Sequence, residues 1–497
     1  MSIDHARMDA QRFISEAMSI VERPTSKKAA AVEQRLWTVL LALGRALMTL
    51  YFARQAEKWK GRTYRTEGRE MAVVDTDRMM VGTRFGKVAV EHPVGRQVGD
   101  ARAARDLPLA RELGLPGGFT MLVVTTMARL CAQMAFASAR RLAEHLFEWT
   151  PSPRAVLRMV DATGERGRSF LEQAPSPEGD GEVLVVSVDG KGAPAISSKE
   201  YARRARPHGQ RNLNGRHSRR DKRRKRPRVR RGPGKKSKNA KMAAVGVLYT
   251  LKRGADGRLD GPVNKRVYAT FESYRALFEW LVAEAKKRGM GSARIRKVLF
   301  VADGADVIWK LQAEFFPDAI PCLDWYHAVE KLWAAGKAIC RGSRQRRAAL
   351  EDWVAVQKKR LRKGRLKEVI AEIEHALATT AATGPGNKYR RKVLGQVRDH
   401  FVKNASRMKY AKLRRQDLEI SSGAVEGAVR HLIGVRLDGP GMRWGRDRAE
   451  AVLHLRCILI NGMWDDFAEY LAKQRDFHLH AQPVPTRPHD AIVKKAA

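Results

Sequence analysis

Cysteine is scarce in this chain. Only Cys131, Cys322, Cys340 and Cys457 occur among 497 residues, and no two of them form a CxxC pair. Thiols so few and so scattered leave no basis for a disulfide framework or a zinc ribbon, and they suit a reducing cytoplasm. Acidic residues are also in short supply: 53 Asp and Glu stand against 96 Lys and Arg, a net charge of +43. That imbalance disfavours a small neutral substrate and points to a polyanion, nucleic acid before an anionic membrane surface. Long apolar runs are missing too. Leu36–Gly44 stops at Arg45 and Gly114–Ala128 stops at Arg129, short of the roughly 20 residues that a spanning helix needs. The first residues, MSIDHARMDAQRF, hold acids and no apolar signal core, so the expectation is a soluble, cytoplasmic protein with no membrane partner. The length implies two to four domains.

What is present begins with an N-terminal region, 1–172, of mainly helical pattern. From Ala29 to Trp59 apolar residues recur at helical spacing, with Leu36, Leu40, Leu43, Leu47 and Leu50 along one side. Residues 72–94, AVVDTDRMMVGTRFGKVAVEHPV, read as a small β hairpin turning at Gly86-Lys87. Two amphipathic helices follow, parted by Glu148-Trp149-Thr150-Pro151. Thr150 or Ser152 can cap the second, and Pro153 suits its first turn. The layout resembles a helix-turn-helix whose second helix offers Arg154 and Arg158 to DNA; ordinary helix packing explains the same pattern. Residues 173–181, QAPSPEGDG, read as an exposed linker.

Beyond the linker the pattern changes to α/β. VLVVSVDGKG (183–192) opens with six residues that are almost all apolar and mostly β-branched, a buried strand, and breaks off at Asp189-Gly190. Residues 203–241 form a basic loop with one acid, Asp221, a single leucine, Leu213, and no aromatic, Ile or Met to bury. Arg223, Arg224, Lys225 and Arg226 lie at its centre. Such a run builds no core and suits phosphate contacts that carry little base information. Strand signals resume at 242–253 and 266–271, a helix at 272–288, and a second buried strand, KVLFVADGAD (297–306), also ends in Asp-Gly. A helix (305–316) and a short strand (319–327) complete the first part of the core, 181–327. Residues 328–418 are helical and rich in Lys and Arg, 419–470 hold the last apolar helices, and 471–497 read as a flexible tail.

Two apolar strands that each deliver an aspartate to their end are the main chemical signal. Asp-Gly alone is a common turn. Two carboxylates side by side at a sheet edge would repel unless cations lay between them. A third acid stands in ISSGAVEGAVRHLIGVR: Glu426, among Gly423, Ala424, Gly427 and Ala428, with Ser421 or Ser422 as cap. Small neighbours let such a helix press on a sheet and turn one acid inward, although a surface glutamate fits the same letters. For the second aspartate, Asp303, Asp324 and Asp306 stay in competition, in that order. Asp306 can also serve as a helix cap.

Taken in order, SVDGKG, VADGAD, FPDAIPCLDWYH and SGAVEGAVRHLIGVRLDGPGMRW resemble the DDE transposases of bacterial insertion sequences, most closely the ISKra-type group related to mutator-like enzymes. The resemblance spans about 180–465. It implies an RNase H-like catalytic core interrupted by the helical insertion 328–418, with 419–470 supplying the final catalytic helix. Asp189, Asp303 and Glu426 are then the catalytic triad, binding two Mg²⁺ ions, with Mn²⁺ as a possible substitute. Asp324 and His327 match the C/D-x-x-H signature as auxiliary residues. Trp444 matches a family tryptophan, an indole for an unpaired base or for the core. Arg430, Arg436 and Arg443 are expected DNA contacts. The implied function is cutting of element ends and joining to target DNA, by a homo-oligomer on DNA in the bacterial cytoplasm at the nucleoid. An RNase H-like nuclease or resolvase without strand transfer, and a non-catalytic basic nucleic-acid-binding protein, remain the alternatives.

Overall fold

Six successive buried residues, Val183 to Val188, require a sheet covered on both faces, and the fold supplies one. The computed structural model describes residues 3–24, 26–100, 104–196, 240–340, 346–439, 442–474 and 476–479. The basic loop expected at 203–241 lies outside these but for Ala240 and Lys241, so Arg223, Arg224, Lys225 and Arg226 are not described; most of the expected tail also lies outside. The chain divides into two units, Met1–Phe170 with Gly462–Ala497, and Leu171–Asn461.

The first unit carries α1 (Ile3–Glu22), α2 (Ala29–Glu57), strands β1 (Thr63–Thr66), β2 (Arg69–Thr83) and β3 (Gly86–Gln97), then α3 (Pro108–Glu112), α4 (Met121–Gln133), α5 (Phe136–Phe147) and most of α6 (Pro153–Gln173). The hairpin grows to a three-stranded antiparallel sheet in the order β1-β2-β3. Its turn is Arg84-Phe85, since Thr83 pairs with Gly86. Phe52 of α2 joins Val81, Val88, Val90 and Leu109 in the core. The leucine stripe does not face inward: Leu40 and Leu47 are exposed, while Val39, Leu41, Ala46 and Phe52 are buried. Among the described residues α2 is the one helix long and apolar enough to cross a membrane, with a third of its most apolar window buried. Arg45 ends an unbroken apolar run but not a helix. Ser152 caps α6, its hydroxyl accepting from the Ala155 amide at 3.2 Å. Helix α16 (Trp464–Lys473), expected within the core-completing segment, belongs to this unit, where Phe467 packs on Phe170.

The second unit is built on a mixed sheet. Its strands are β4 (Val183–Ile196), β5 (Ala240–Arg253), β6 (Leu259–Thr270), β7 (Lys297–Ala302) and β8 (Ile320–Leu323), in the spatial order β6-β5-β4-β7-β8. β6, β5 and β4 run antiparallel; β4, β7 and β8 run parallel. A two-residue β9 (Trp444–Gly445) joins the far end of β4. Helix α7 (Tyr274–Lys287) packs on β5 and β6, and α8 (Asp306–Phe315) on α7. The expected order of strands and helices from 183 to 327 is the observed one.

A helical layer follows: α9 (Trp325–Ile339), α10 (Arg346–Arg362), α11 (Leu366–Thr379), α12 (Asn387–Lys403) and α13 (Tyr410–Arg414). It is pinned to the sheet through Tyr410. The Tyr410 hydroxyl donates to the Leu323 carbonyl at 2.9 Å, and its ring meets Trp325 edge-on. The chain returns to the sheet through α14 (Gly423–Val429), extended by a π-helical turn at Arg430–Gly434, and then α15 (Arg446–Ile460). Helix α14 packs on β4 and β5, and α15 on β6.

Candidate active site

Register decides which side chains meet. Val188 on β4 pairs with Ala302 on β7, and Ala302 pairs with Leu323 on β8. The next residues are therefore Asp189, Asp303 and Asp324, set in a row where the parallel pairing stops. β7 and β8 end there, but β4 runs on to Ile196 against β5, so the break expected at Asp189-Gly190 is corrected and Asp189 lies within its strand. Neighbouring strands lie about 4.8 Å apart, so these carboxylates feel one another. The Asp189 carboxyl is pushed above the ordinary range by burial first and then by Asp303 and Asp324, against the Gly190 amide and His327.

Glu426 reaches the same field from α14. Val425, Ala428 and Val429 are the buried residues of that helix, and Glu426 itself is exposed. The inward-pointing glutamate expected from its small neighbours is thus corrected: of those neighbours only Ala428 lies on the buried face, and Glu426 stands on the exposed side. Partial desolvation, Asp324, Asp189 and Glu330 hold its carboxyl above the usual range, against His327. Ser422 occupies the cap position but its hydroxyl caps nothing.

Asp324 is the most engaged of the acids and is fully buried. One oxygen accepts from the Ser422 amide at 2.6 Å; the other takes the His327 amide at 2.9 Å and meets His327 Nδ1 at 2.8 Å. Burial alone would raise its carboxyl, but these hydrogen bonds hold it below the ordinary range. Both oxygens are occupied by the protein, so Asp324 positions α9 and the start of α14. His327 is pushed up to about 9, by the Asp324 bond first and then, despite burial, by the charges of Asp324, Asp303 and Asp189. It is an imidazolium at neutral pH and offsets part of the acidic field.

Asp303 keeps one oxygen for the Ala305 amide at 2.9 Å, and its carbonyl accepts from the Trp309 indole at 2.7 Å. Asp306 stands apart: it pairs with Lys403 at the surface at 2.5 Å and is neither the cap of α8 nor part of the acidic row. Two further groups border the site. Burial, Asp303 and Asp189 push the Tyr274 phenol up to about 12, and a Cβ on Gly190 would lie 2.1 Å from its hydroxyl. His400 of α12 lies over Gly304, where a Cβ would come within 2.3 Å of the ring. Burial, then Lys331, pushes His400 down to about 4. No motif announced either residue. Tyr274 follows the capping Ser273, the one local hint; His400 lies nearly a hundred residues from its neighbour.

The expected DNA contacts divide. Arg154, Arg430 and Arg443 are exposed and Arg158 is half-buried. Arg436 and Trp444 are buried, with the guanidinium 4.7 Å over the indole and the indole donating to the Leu437 carbonyl at 3.0 Å. For Trp444 the core is the alternative observed, and the surface contact expected of Arg436 is corrected, because Trp444 lies in β9 against β4 with the Arg436 guanidinium over it.

The donor set of Asp189, Asp303 and Glu426 is all oxygen, and burial first, with neighbouring carboxylates after it, raises Asp189 and Glu426; that chemistry fits a hard cation. Their side chains are not drawn together: among the described residues no group of three acids, histidines or cysteines is arranged to hold a metal ion. No protein-family model matches the chain, and no curated protein matches it either.

Proposed function

We propose that this chain is a metal-dependent DNA transposase of the insertion-sequence DDE type, with an RNase H-like core. The observation that carries the reading is the register that sets Asp189, midway along β4, beside Asp303 at the end of the parallel strand β7, with Asp189 within electrostatic reach of a third acid, Glu426, from a helix returning more than a hundred residues later. The sheet order, three antiparallel strands continued by two parallel ones, supports it. So does the net charge of +43.

Asp189, Asp303 and Glu426 would hold two Mg²⁺ ions, or Mn²⁺ in their place. When bound, such ions supply an activated oxygen nucleophile and a charge sink for the leaving 3′ oxygen. The protein's own groups have distinct tasks. Asp324 fixes α14 through Ser422, and so the reach of Glu426. His327, charged, keeps part of the acidic field balanced before DNA arrives. The Tyr274 phenol retains its proton and can donate to a phosphate oxygen. Arg430, Arg443 and Arg154, with the basic segment at 203–241, contact phosphates. A homo-oligomer on DNA, at the nucleoid of a bacterial cytoplasm, is the assembly this reading implies.

The test is strand cleavage by Asp189→Asn and Glu426→Gln proteins that still bind DNA, with and without EDTA. Loss of cleavage in both, and in EDTA, supports the reading; full activity in either variant overturns it. Cleavage without joining of a pre-cut 3′ end would assign a nuclease or resolvase, and binding without metal-dependent cleavage a basic nucleic-acid-binding protein.

A further inference from the structure

Beyond the acidic row, α9 and α12 enclose a groove of about 650 Å³, walled by Glu330, Trp333, Lys337, Tyr389 and Arg390. Its chemistry is specific. Tyr389 is 72% exposed, an unusual state for so large a ring, and Trp333 is half-buried. Neither ring meets another aromatic among the described residues. Lys337 is exposed, while Arg390 is held in place by bonds to the Ala338 carbonyl at 2.7 Å and Asn387 at 3.4 Å. Two available π-faces beside two cations form a stacking platform with phosphate partners.

The groove adjoins the acids. Glu330 lines it and is also among the charges that raise Glu426. Along α9, Trp333 lies about 9 Å beyond His327 and Lys337 about 15 Å beyond it. The spacing of Glu330, Trp333 and Lys337 keeps them on one side of the helix. Glu330 repels phosphate at the near end and Lys337 attracts it at the far end, which gives a bound strand a direction. A volume within the roughly 300–1,000 Å³ of small-ligand pockets admits a nucleotide and excludes a duplex.

We propose that this groove takes an unpaired nucleotide of the DNA strand being cut, its base on Trp333 and Tyr389 and its phosphate on Lys337 and Arg390. The proposal rests on the reading of the chain as a DNA-processing enzyme and assigns the role expected of Trp444 to other rings. The test uses the full chain in EDTA, with a single-stranded oligonucleotide carrying 2-aminopurine and a duplex of equal length. Salt is raised until phosphate contacts cease to dominate. Quenching of 2-aminopurine on binding is expected. Tyr389→Ala and Trp333→Ala should each weaken single-strand binding about 5- to 150-fold, leave duplex binding within about twofold, and Tyr389→Phe should restore it. Tyr389 is exposed, so its substitution leaves the core intact and the test decisive even if the Trp333 variant fails to fold. Unchanged single-strand affinity in Tyr389→Ala, or equal loss on duplex, overturns the proposal, as does displacement only by an aromatic peptide. Because binding is read without metal, a protein that binds in this way yet never cleaves would sink the transposase reading and leave the groove standing.

Discussion

The Ser422 amide donates to the Asp324 carboxylate at 2.6 Å across 98 residues of chain. That bond, with the Trp325 amide on the Ile420 carbonyl at 2.9 Å, brings the start of α14 beside the end of β8. The position of Glu426 therefore depends on an acid that need not touch any ligand.

Removing that acid should cost stability as well as activity. Asp324→Ala leaves a buried Ser422 amide and the His327 imidazolium without their acceptor, and an expected loss of about 3–5 kcal/mol in urea unfolding follows. A loss near zero would mean that Asp324 does not fasten α14.

The Asp324–His327 pair makes a pH-dependent contribution that can be read in EDTA. His327 is raised to about 9, so its share is complete below the ordinary value near 6.5 and is lost as pH rises through about 9. Asp324 is lowered, so its share is present above its ordinary value near 3.8 and is lost as pH falls. The stability difference between wild type and His327→Gln should be largest between about pH 4 and 6.5 and fade above about 9. A difference independent of pH would rule out the charged pair.

Tyr274→Phe should bind DNA as wild type does and cleave it about 10²-fold more slowly, the scale of one lost transition-state donor. Gly190→Ala should reproduce the defect, since the new Cβ would lie 2.1 Å from the phenol oxygen. Wild-type cleavage in Tyr274→Phe would reduce the phenol to packing.

Gly304→Ala drives a Cβ into His400, an overpacking cost of about 1–3 kcal/mol. His400→Ala in the same chain should recover most of it. Thermal unfolding of the two single variants and the double checks the coupling; simple additivity would deny that α12 braces the Asp303 turn.

Much of the second unit was legible because its signals are local. Val183–Val188, but for Ser187, and Val298–Ala302 are apolar runs of strand length, and each is followed by Asp-Gly. Other features misled. The leucines of α2 share a helical side, yet the side that meets β3 is set by the sheet, so Leu40 and Leu47 stay outside. For Trp444 the choice between base and core stayed open, because nothing nearby in sequence reveals that β9 joins β4.

Local chemistry alone settled where most of the strands and helices form, and that an acid follows each of two apolar runs, because apolar period and turn residues act over a few neighbours. Tertiary structure alone decided which acids share a row, which of them is locked by hydrogen bonds, and that Tyr274 and His400 border them. Strand register, helix return and burial arise from contacts tens to hundreds of residues apart, and no spacing along the chain encodes them.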